Sequence, residues 1–247
     1  MEKNASSAIQ TLQTWISESD NIVFFGGAGV STESGIPDFR SVDGLYSQNY
    51  KYPPEMIISH SFYLRYPEEF YRFYKDRMLF PAAKPNAAHR ALARLEKEGK
   101  LRAVITQNID GLHQAAGSRE VLELHGSVHR NYCTRCGKFF PLSYIINSEG
   151  VPHCDACGGV IKPDVVLYEE GLDGQTMQKA VRYIAEADVL IVGGTSLVVY
   201  PAAGLIDYYR GNKLVLINRD ETAKDGMADL CIHEKIGEVF RAIIPGI

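Results

Sequence analysis

Four cysteines are arranged as two Cys-x-x-Cys pairs, and this spacing is the clearest chemical signal in the sequence. Cys133 and Cys136 form the first pair, and 17 residues separate it from the second pair, Cys154 and Cys157. Two such pairs supply the four thiolates that tetrahedral zinc prefers, and a closed set of four leaves no position for a catalytic water. We therefore predict a structural zinc site. The alternatives are reduced cysteines packed as small hydrophobic side chains, or disulfides, which suit a secreted chain better.

One histidine close to the first cysteine pair has the setting of a catalytic base. His125 follows a stretch, 121–124, that predicts a strand, and it precedes Gly126, which would let a substrate approach. An imidazole near its intrinsic pKa suits proton transfer at neutral pH. Spacing alone leaves a packing role for His125 open. We interpret His89, inside a helical pattern, as structural, and His113 as a packing residue.

Small and polar residues follow four apolar stretches, each of which predicts a strand. The first is a turn, 27–32, that opens like the dinucleotide fingerprint Gly-x-Gly-x-x-Gly but has Thr32 in place of the third glycine. Glycines there let the backbone approach a pyrophosphate, although a strand-to-helix turn also needs glycine for its geometry. Because ligands of open α/β sheets bind beyond the carboxyl ends of strands, the convergence predicts a nucleotide site. The polar residues after the other three strands are Gln107, Asn108 and Asp110, then Gly194, Thr195 and Ser196, and finally Asn218.

Two of these positions have simpler explanations that stay open. Asn108 or Asp110 could serve as a helix N-cap, which is common directly after a strand.

The stretch 34–40 is too rich in glycine, proline and charge to continue a helix, so it predicts a loop. Within it, Arg40 could pair with phosphate, and Phe39 could cap an aromatic ring or shield an intermediate from water, or simply pack in the core.

The elements that must hold these residues alternate between strand and helix. Buried strands are predicted within the run 21–29, which ends in the glycine turn, and at 101–106, 189–192 and 214–218. Helices are predicted at 8–16, 86–97 and 175–185. This order is typical of an α/β fold in which helices cover both faces of a parallel sheet. The aromatic-rich stretch 45–85 and the cysteine stretch 130–160 lack this alternation, and we predict that they are insertions that together form a smaller lobe.

Composition excludes several classes of function. The chain has 247 residues and a net charge of −4, so it offers no basic field for a nucleic-acid backbone, and we expect no nucleic-acid partner. Its apolar runs are shorter than the roughly 18 residues that span a bilayer, and we expect no membrane association. The first 15 residues lack the apolar core of a signal peptide, so we expect a cytoplasmic protein.

Taken together, these motifs resemble those of the sirtuins, the NAD-dependent protein lysine deacylases. Gly-Ala-Gly-Val-Ser, Ser-Gly-Ile-Pro-Asp-Phe-Arg, Gln-Asn-Ile-Asp, His-Gly, the two cysteine pairs and Gly-Thr-Ser occur in the family's order, over about residues 20–240. The resemblance implies a Rossmann-like parallel sheet domain with an inserted smaller lobe made of a zinc ribbon and a helical module. We assign 1–44, 86–130 and 161–247 to the large domain, 45–85 to the helical module and 131–160 to the ribbon.

The resemblance also implies a cofactor, a reaction and roles for individual residues. NAD and an acylated-lysine protein or peptide would be converted to free lysine, nicotinamide and O-acyl-ADP-ribose. His125 would contact the cofactor and act as the base on a ribose hydroxyl, and Asn108 would position a water or a ribose hydroxyl. Phe39, Ile109 and Asp110 would line the nicotinamide pocket. The remaining cofactor contacts implied are Ala28, Gly29, Thr32, Arg40, Gln107, Gly194, Thr195, Ser196, Asn218 and Ile236.

The segment that follows the ribbon departs from the family's pattern, and this departure concerns the substrate. Members usually have Pro-x-Val-Val-Phe-Phe-Gly-Glu after the ribbon, where this chain has Leu167, Tyr168, Glu169 and Glu170 at the last four positions. In the resemblance this segment pairs with the substrate backbone as an added strand, and we expect Val166 and Tyr168 to contact the peptide. Its two carboxylates either attract basic residues beside the lysine or are plain solvated charges.

A Tyr-x-x-Arg spacing, Tyr74 and Arg77, resembles that of sirtuins that remove succinyl or malonyl groups. Positions i and i+3 share a helix face, so both side chains could reach the end of an acyl tunnel, with Arg77 pairing with the acyl carboxylate. We therefore expect a deacetylase with a second activity on acidic acyl groups. The alternatives are a mono-ADP-ribosyltransferase on the same scaffold and a non-catalytic NAD-sensing or binding module.

Overall fold

The computed structural model describes residues 2–39, 44 and 50–247. Arg40, for which the sequence predicts a phosphate contact, lies outside these residues. The fold is the predicted α/β arrangement, with one parallel sheet between layers of helices and a smaller lobe with its own sheet. Among the helices in the described part, none is long and apolar enough to cross a membrane.

The large sheet has six parallel strands in the order β3-β2-β1-β7-β8-β9. β1 lies at its centre, and all five of its residues are buried, which explains why its sequence is a continuous apolar run. The strands are β1 (Ile22–Gly26), β2 (Leu101–Thr106), β3 (Val121–Glu123), β7 (Val189–Gly193), β8 (Leu214–Ile217) and β9 (Leu230–Ile232).

Helices cover both faces of this sheet. On one face α1 (Glu2–Glu18), α5 (Ala87–Lys97) and α9 (Ile236–Ile243) enclose one apolar core, and on the other α8 (Gly174–Glu186) and a 3₁₀ segment, Ala202–Tyr208, enclose a second. The short helix α6 (Leu112–Ala115) follows β2. These two cores fix the relative positions of the strand ends, where the predicted nucleotide site lies.

Local signals explain where the main helices begin. Asn86 caps α5 by accepting a hydrogen bond from the Ala88 N–H at 3.0 Å, and His89 Nδ1 accepts one from the Asn86 N–H at 3.2 Å, which completes a capping box. Asp173 caps α8 by accepting from the Thr176 N–H at 2.7 Å. The sequence patterns predicted both helices to within one residue at each end.

The smaller lobe combines a helical module with a three-stranded sheet. The helices are α2 (Pro54–Ile57), α3 (His60–Arg65), α4 (Pro67–Arg77) and α7 (Leu142–Asn147). The antiparallel sheet has the order β5-β4-β6, formed by β5 (Phe139–Phe140), β4 (Gly126–Cys133) and β6 (Ile161–Val165). Aromatic side chains of α3 and α4 pack against this sheet and form the third apolar core.

The small sheet extends beyond the stretch 131–160 that the sequence assigned to the ribbon. β4 already begins at Gly126, and β6 continues to Val165, because the two strands pair along most of their length. Residues 126–130 and 161–165 therefore belong to this sheet rather than to the parallel one. His125 lies directly at the junction between the two sheets.

Candidate functional site

A cavity of about 950 Å³ lies between the carboxyl ends of the parallel strands and the smaller lobe. This is where the strand order reverses around β1, the usual place for a ligand crevice in a doubly wound sheet. Most of the residues that the sequence singled out line it. They are Ala28, Gly29, Thr32, Phe39, Arg77, Gln107, Asn108, Ile109, Asp110, His125, Val166, Tyr168, Gly194, Thr195, Ser196, Asn218 and Ile236.

The glycine turn after β1 packs directly on the turn after β7. The Gly29 N–H donates to the Gly194 carbonyl oxygen at 2.8 Å, and a Cβ added to Gly29 would lie 2.7 Å from Gly194 Cα. Gly194 has a φ of +60°, and a Cβ there would lie 2.4 Å from the Val30 nitrogen. Side chains at these two positions would separate the strand ends, so both glycines are needed to shape this wall of the cavity. Thr32 extends the turn by donating to the Gly29 carbonyl at 3.0 Å.

A hydroxyl between two cavity residues holds them in a fixed relation. The buried Ser31 Oγ donates to Asp110 Oδ2 at 2.6 Å and accepts from Asn108 Nδ2 at 3.1 Å. The other Asp110 oxygen accepts from the Leu112 N–H at 2.9 Å, so this carboxylate also serves the start of α6. The sequence analysis did not single out Ser31. Its place inside the glycine turn, next to Thr32, was the available signal.

A second polar chain joins the ends of β2, β7 and β8. Gln107 Nε2 donates to Thr195 Oγ1 at 3.1 Å, and the Thr195 N–H donates to Asn218 Oδ1 at 2.9 Å. Asn218 Nδ2 is buried and has no partner among the described residues, although Asn218 lines the cavity. A free amide donor on a concave wall suits a ligand with oxygen acceptors, such as a ribose or a phosphate.

His125 is held in one tautomer by its surroundings. Its Nδ1 lies 2.9 Å from the Gln107 carbonyl oxygen, and because a carbonyl only accepts, Nδ1 carries the proton and Nε2 keeps its lone pair. Burial lowers the pKa of His125 below its ordinary 6.5, while the hydrogen bond to Gln107 acts in the opposite direction. The neutral form therefore prevails at neutral pH, as a general base requires.

The segment that follows β6 forms the wall nearest to His125. The Val166 N–H donates to the His125 carbonyl oxygen at 3.0 Å. Further along, the Tyr168 N–H donates to Ile58 O, and the His60 N–H donates to Tyr168 O, both at 3.0 Å. The segment thus runs from His125 to the helical module, and Val166 and Tyr168 line the cavity.

The two residues of the Tyr-x-x-Arg pair on α4 lie in different surroundings. Arg77 lines the cavity, with its Nε 2.7 Å from Asp76 Oδ2 and its guanidinium 5.7 Å from the centre of the Tyr50 ring. Tyr74 is fully buried, its ring stacks on Phe70 at 5.6 Å, and it is not among the described residues that line the cavity. Both side chains share a helix face, but the tyrosine ring is covered by the core of the lobe, whereas the longer arginine reaches past it.

The four cysteines of the ribbon lie close enough together to bind one metal ion. Their sulfur atoms are all within 4.8 Å of one another, with 3.4 Å between Cys133 and Cys157 and 3.7 Å between Cys136 and Cys154. Tetrahedral zinc with Zn–S bonds of about 2.3 Å requires sulfur separations of about 3.8 Å, so the set fits zinc. The N–H groups of Cys136 and Arg135 point at Cys133 Sγ, and chiefly the first lowers the pKa of that thiol to about 6.

Comparisons with known proteins match most of the chain. The sequence model of the Sir2 family matches residues 27–201. The chain is 61% identical over 239 residues to a Clostridium acetobutylicum protein named NAD-dependent protein deacetylase, covering 96% of this chain and 98% of that protein. It is similar to a structure of Sir2 with a p53 peptide and NAD⁺, with a TM-score of 0.84 and 43% identity over 95% of this chain and 96% of that one. A Sir2 structure with a deacetylated p53 peptide and 3′-O-acetyl ADP-ribose gives a TM-score of 0.87 and 42% identity, covering 95% and 96%.

Proposed function

Because this chain belongs to the Sir2 family, we propose that it is an NAD-dependent protein lysine deacetylase. The observation that carries the proposal is the hydrogen bond from His125 Nδ1 to the Gln107 carbonyl, which leaves Nε2 free as a base on the cavity wall. The proposed substrates are NAD, acetyl-lysine in a protein or peptide, and one water molecule. The products are the deacetylated lysine side chain, nicotinamide and O-acetyl-ADP-ribose.

The cavity fits the proposed cofactor. The two turns that meet at Gly29 and Gly194 form a concave backbone wall, and the free amide of Asn218 adds a donor beside it. When bound, NAD supplies an ADP-ribosyl acceptor for the acyl group and nicotinamide as the leaving group. We assign to its binding Ala28, Gly29, Thr32, Phe39, Gln107, Ile109, Asp110, His125, Gly194, Thr195, Ser196, Asn218 and Ile236, together with Arg40, which lies outside the described residues.

The residues around His125 have separate tasks in this proposal. Asn108 and Asp110 are held by Ser31, so that the amide orients a water or a hydroxyl and the carboxylate faces the nicotinamide carboxamide. His125 Nε2 accepts a proton from a hydroxyl of the bound ligands. Phe39 lines the same cavity and excludes water from the reacting centre.

The substrate peptide is assigned to the wall formed by residues 166–170. Val166 and Tyr168 line the cavity there, and the Val166 N–H is bonded to the backbone of His125, so a peptide on this wall lies beside the base. We infer that the peptide adds a strand to this segment. We propose the domain division expected from the sequence, with the large domain at 1–44, 86–130 and 161–247 and the smaller lobe at 45–85 and 131–160. The cleft lies between the two.

A second activity, on succinyl or malonyl groups, is supported by one observation. The Arg77 side chain lies on the cavity wall, where a guanidinium can pair with an acyl carboxylate. Tyr74 is buried in the lobe and is not among the described residues that line the cavity. We therefore assign recognition of the acyl carboxylate to Arg77.

We also propose a cytoplasmic location. The four ribbon thiols must remain reduced in order to bind zinc, and reducing compartments keep them so. Fractionation of cells followed by immunodetection tests this, and recovery of the protein outside the cytoplasm would contradict it.

The function is tested by mass spectrometry of acetyl-lysine peptides with wild type and His125→Ala. We expect NAD-dependent loss of the acetyl group and formation of O-acetyl-ADP-ribose with the wild type, and neither with the variant. Transfer of ADP-ribose to the peptide or to the protein without loss of acetyl would favour the ADP-ribosyltransferase instead.

A further inference from the structure

Glu169 holds a backbone conformation that residues other than glycine rarely adopt. Its φ is +76°, in the left-handed region, and Leu197 at +55° is the only other non-glycine residue in the described part of the chain with a positive φ. An L-residue with a long side chain persists in this region where its surroundings hold it there. The contacts of the Glu169 side chain therefore show what compensates the strain.

Both carboxylate oxygens of Glu169 are bonded to one residue of the helical module. Oε2 accepts from the Ser61 N–H at 2.8 Å, and Oε1 accepts from the Ser61 hydroxyl at 2.9 Å. Ser61 is the second residue of α3, where backbone N–H groups have no partner inside the helix. The pair is a charge-assisted, two-point contact between the wall segment 166–170 and α3.

Neighbouring contacts attach the same segment on either side. The Glu170 carboxylate accepts from His60 Nδ1 at 2.7 Å and from Lys162 Nζ at 3.2 Å. At the other end, the Val166 N–H is bonded to the His125 carbonyl. The segment is thus fixed by backbone bonds at its catalytic end and at Tyr168, and by carboxylates at its far end. Glu169, with its positive φ, is the strained residue of the far end.

We propose that Glu169 is a positioning residue whose bond to Ser61 presets the wall segment 166–170 for the backbone of the acyl-lysine peptide. The inference rests on the proposed function, in which this segment receives the peptide. A preset edge lowers the ordering cost of binding, which shows as a lower KM for the peptide. Both oxygens are bonded to Ser61, so the carboxylate is placed to act on the segment, and direct recognition of basic side chains of the substrate is the outcome that the test below distinguishes.

The test compares wild type with Glu169→Gly, Ser61→Ala, the double variant and a control, Glu55→Gln, which alters an exposed carboxylate on the same module. Glycine removes the contact and the φ strain together, so we expect little change in Tm. The KM for an acetyl-lysine peptide should rise about tenfold, the value of one charge-assisted contact. The KM for NAD and kcat should stay unchanged. Ser61→Ala removes the bond to Oε1 but keeps the N–H of residue 61 that bonds Oε2, so it should raise the KM by a smaller factor. The double variant should match Glu169→Gly.

Hydrogen exchange provides a readout that needs no catalysis. Amides of the segment 166–170 should exchange faster in Glu169→Gly and Ser61→Ala than in wild type and Glu55→Gln, even if the wild type proved inactive toward acetyl-lysine. Unchanged exchange would overturn the inference. So would a KM effect in Glu169→Gly that Ser61→Ala lacks and that follows the charge of residues beside the lysine, since that pattern means direct recognition of the substrate by the carboxylate. If the wild type showed no deacetylation but the exchange rates changed as expected, only the proposed function would be overturned.

Discussion

The imidazole of His125 and the carbonyl of Gln107 lie 2.9 Å apart, and this one bond joins the end of β2 to the junction between the two sheets. This hydrogen bond sets both the tautomer of the proposed base and the orientation of its imidazole ring. Since the carbonyl belongs to the backbone of a strand end, the orientation of the base depends on the parallel sheet rather than on a mobile side chain.

A lowered pKa of His125 predicts that activity persists in mild acid. The base must be neutral, and burial moves its pKa below 6.5, so the acid limb of kcat/KM for the acetyl peptide should have its midpoint below pH 6.5. His125→Gln should reduce kcat by about 10²–10⁴-fold, the usual share of a general base. His233→Gln, at an exposed histidine, should leave the profile unchanged. An acid limb at or above pH 6.5 would contradict the assignment.

Removing the Asn218 side chain should weaken binding of NAD. In Asn218→Ala the cofactor loses the free Nδ2 donor, and a ligand acceptor left unpaired on binding costs about 1–3 kcal/mol. The KM for NAD should therefore rise by about ten- to a hundredfold, while the KM for the peptide stays constant. Initial rates with varied NAD and varied peptide separate the two. Asn147→Ala is the matched control, because this asparagine is exposed at the end of α7 and does not line the cavity. It should change neither KM.

Arg77 and Tyr74 should separate in their effect on acyl preference. Arg77→Met should lower desuccinylation relative to deacetylation by about ten- to a hundredfold, because a charge-assisted contact is lost. Tyr74→Phe should leave that ratio constant, since its hydroxyl is buried away from the cavity. The measurement is a competition between acetyl- and succinyl-lysine peptides followed by mass spectrometry. An unchanged ratio in Arg77→Met would end the proposal of an acidic-acyl activity.

The parallel strands were predictable because they are buried on both faces. β1, β7 and β8 are continuous apolar runs, and β2 is interrupted by the exposed Arg102. Each strand ends in, or is followed by, glycine or a small polar residue. β9 has three residues and no repeating pattern, so nothing in the sequence marked it. The position of the cavity could be predicted from the parallel strands alone, since the carboxyl ends of neighbouring parallel strands lie at one edge of the sheet.

What the sequence did not show depends on tertiary packing. Ser31 became visible only when the turn after β1 was placed against Asn108 and Asp110. The helical spacing of Tyr74 and Arg77 predicted a shared face but not that the core would cover the tyrosine. Likewise, the small sheet extends beyond the predicted ribbon because β4 and β6 pair beyond the cysteines, which is a long-range contact.

Zinc should be present at one ion per chain and should be needed for stability. The cysteine set begins at Cys133, the last residue of β4, and its second pair precedes β6. Since β4 begins at Gly126 and β6 leads to Val166, loss of the metal should loosen the peptide wall. Cys136→Ser should lose zinc and lower both Tm and deacetylation. Metal analysis and thermal unfolding check this, with Cys231→Ser, outside the cluster, as the control. Full activity of a zinc-free Cys136→Ser protein would contradict the prediction.

A buried histidine pair behind the cavity should make folding stability fall in acid. The rings of His89 and His113 lie 4.7 Å apart, and both side chains are essentially inaccessible to solvent. Burial lowers the pKa of His89 to about 4 and that of His113 well below 6.5. An unfolded chain therefore binds more protons than the folded one below about pH 6.5, and the free energy of unfolding decreases as the pH falls.

Each such group changes the free energy of unfolding by about 1.4 kcal/mol per pH unit once the pH is below its unfolded pKa and above its folded one. Urea unfolding at intervals between pH 7 and pH 4.5 should show stability that is level near pH 7 and falls below about pH 6.5. In His113→Leu one of the two buried imidazoles is removed, so the decline that the pair contributes should be about half as steep. His89 is left in place in this comparison, because its Nδ1 completes the cap of α5. An equally steep decline in wild type and His113→Leu would mean that the acid sensitivity arises elsewhere in the protein.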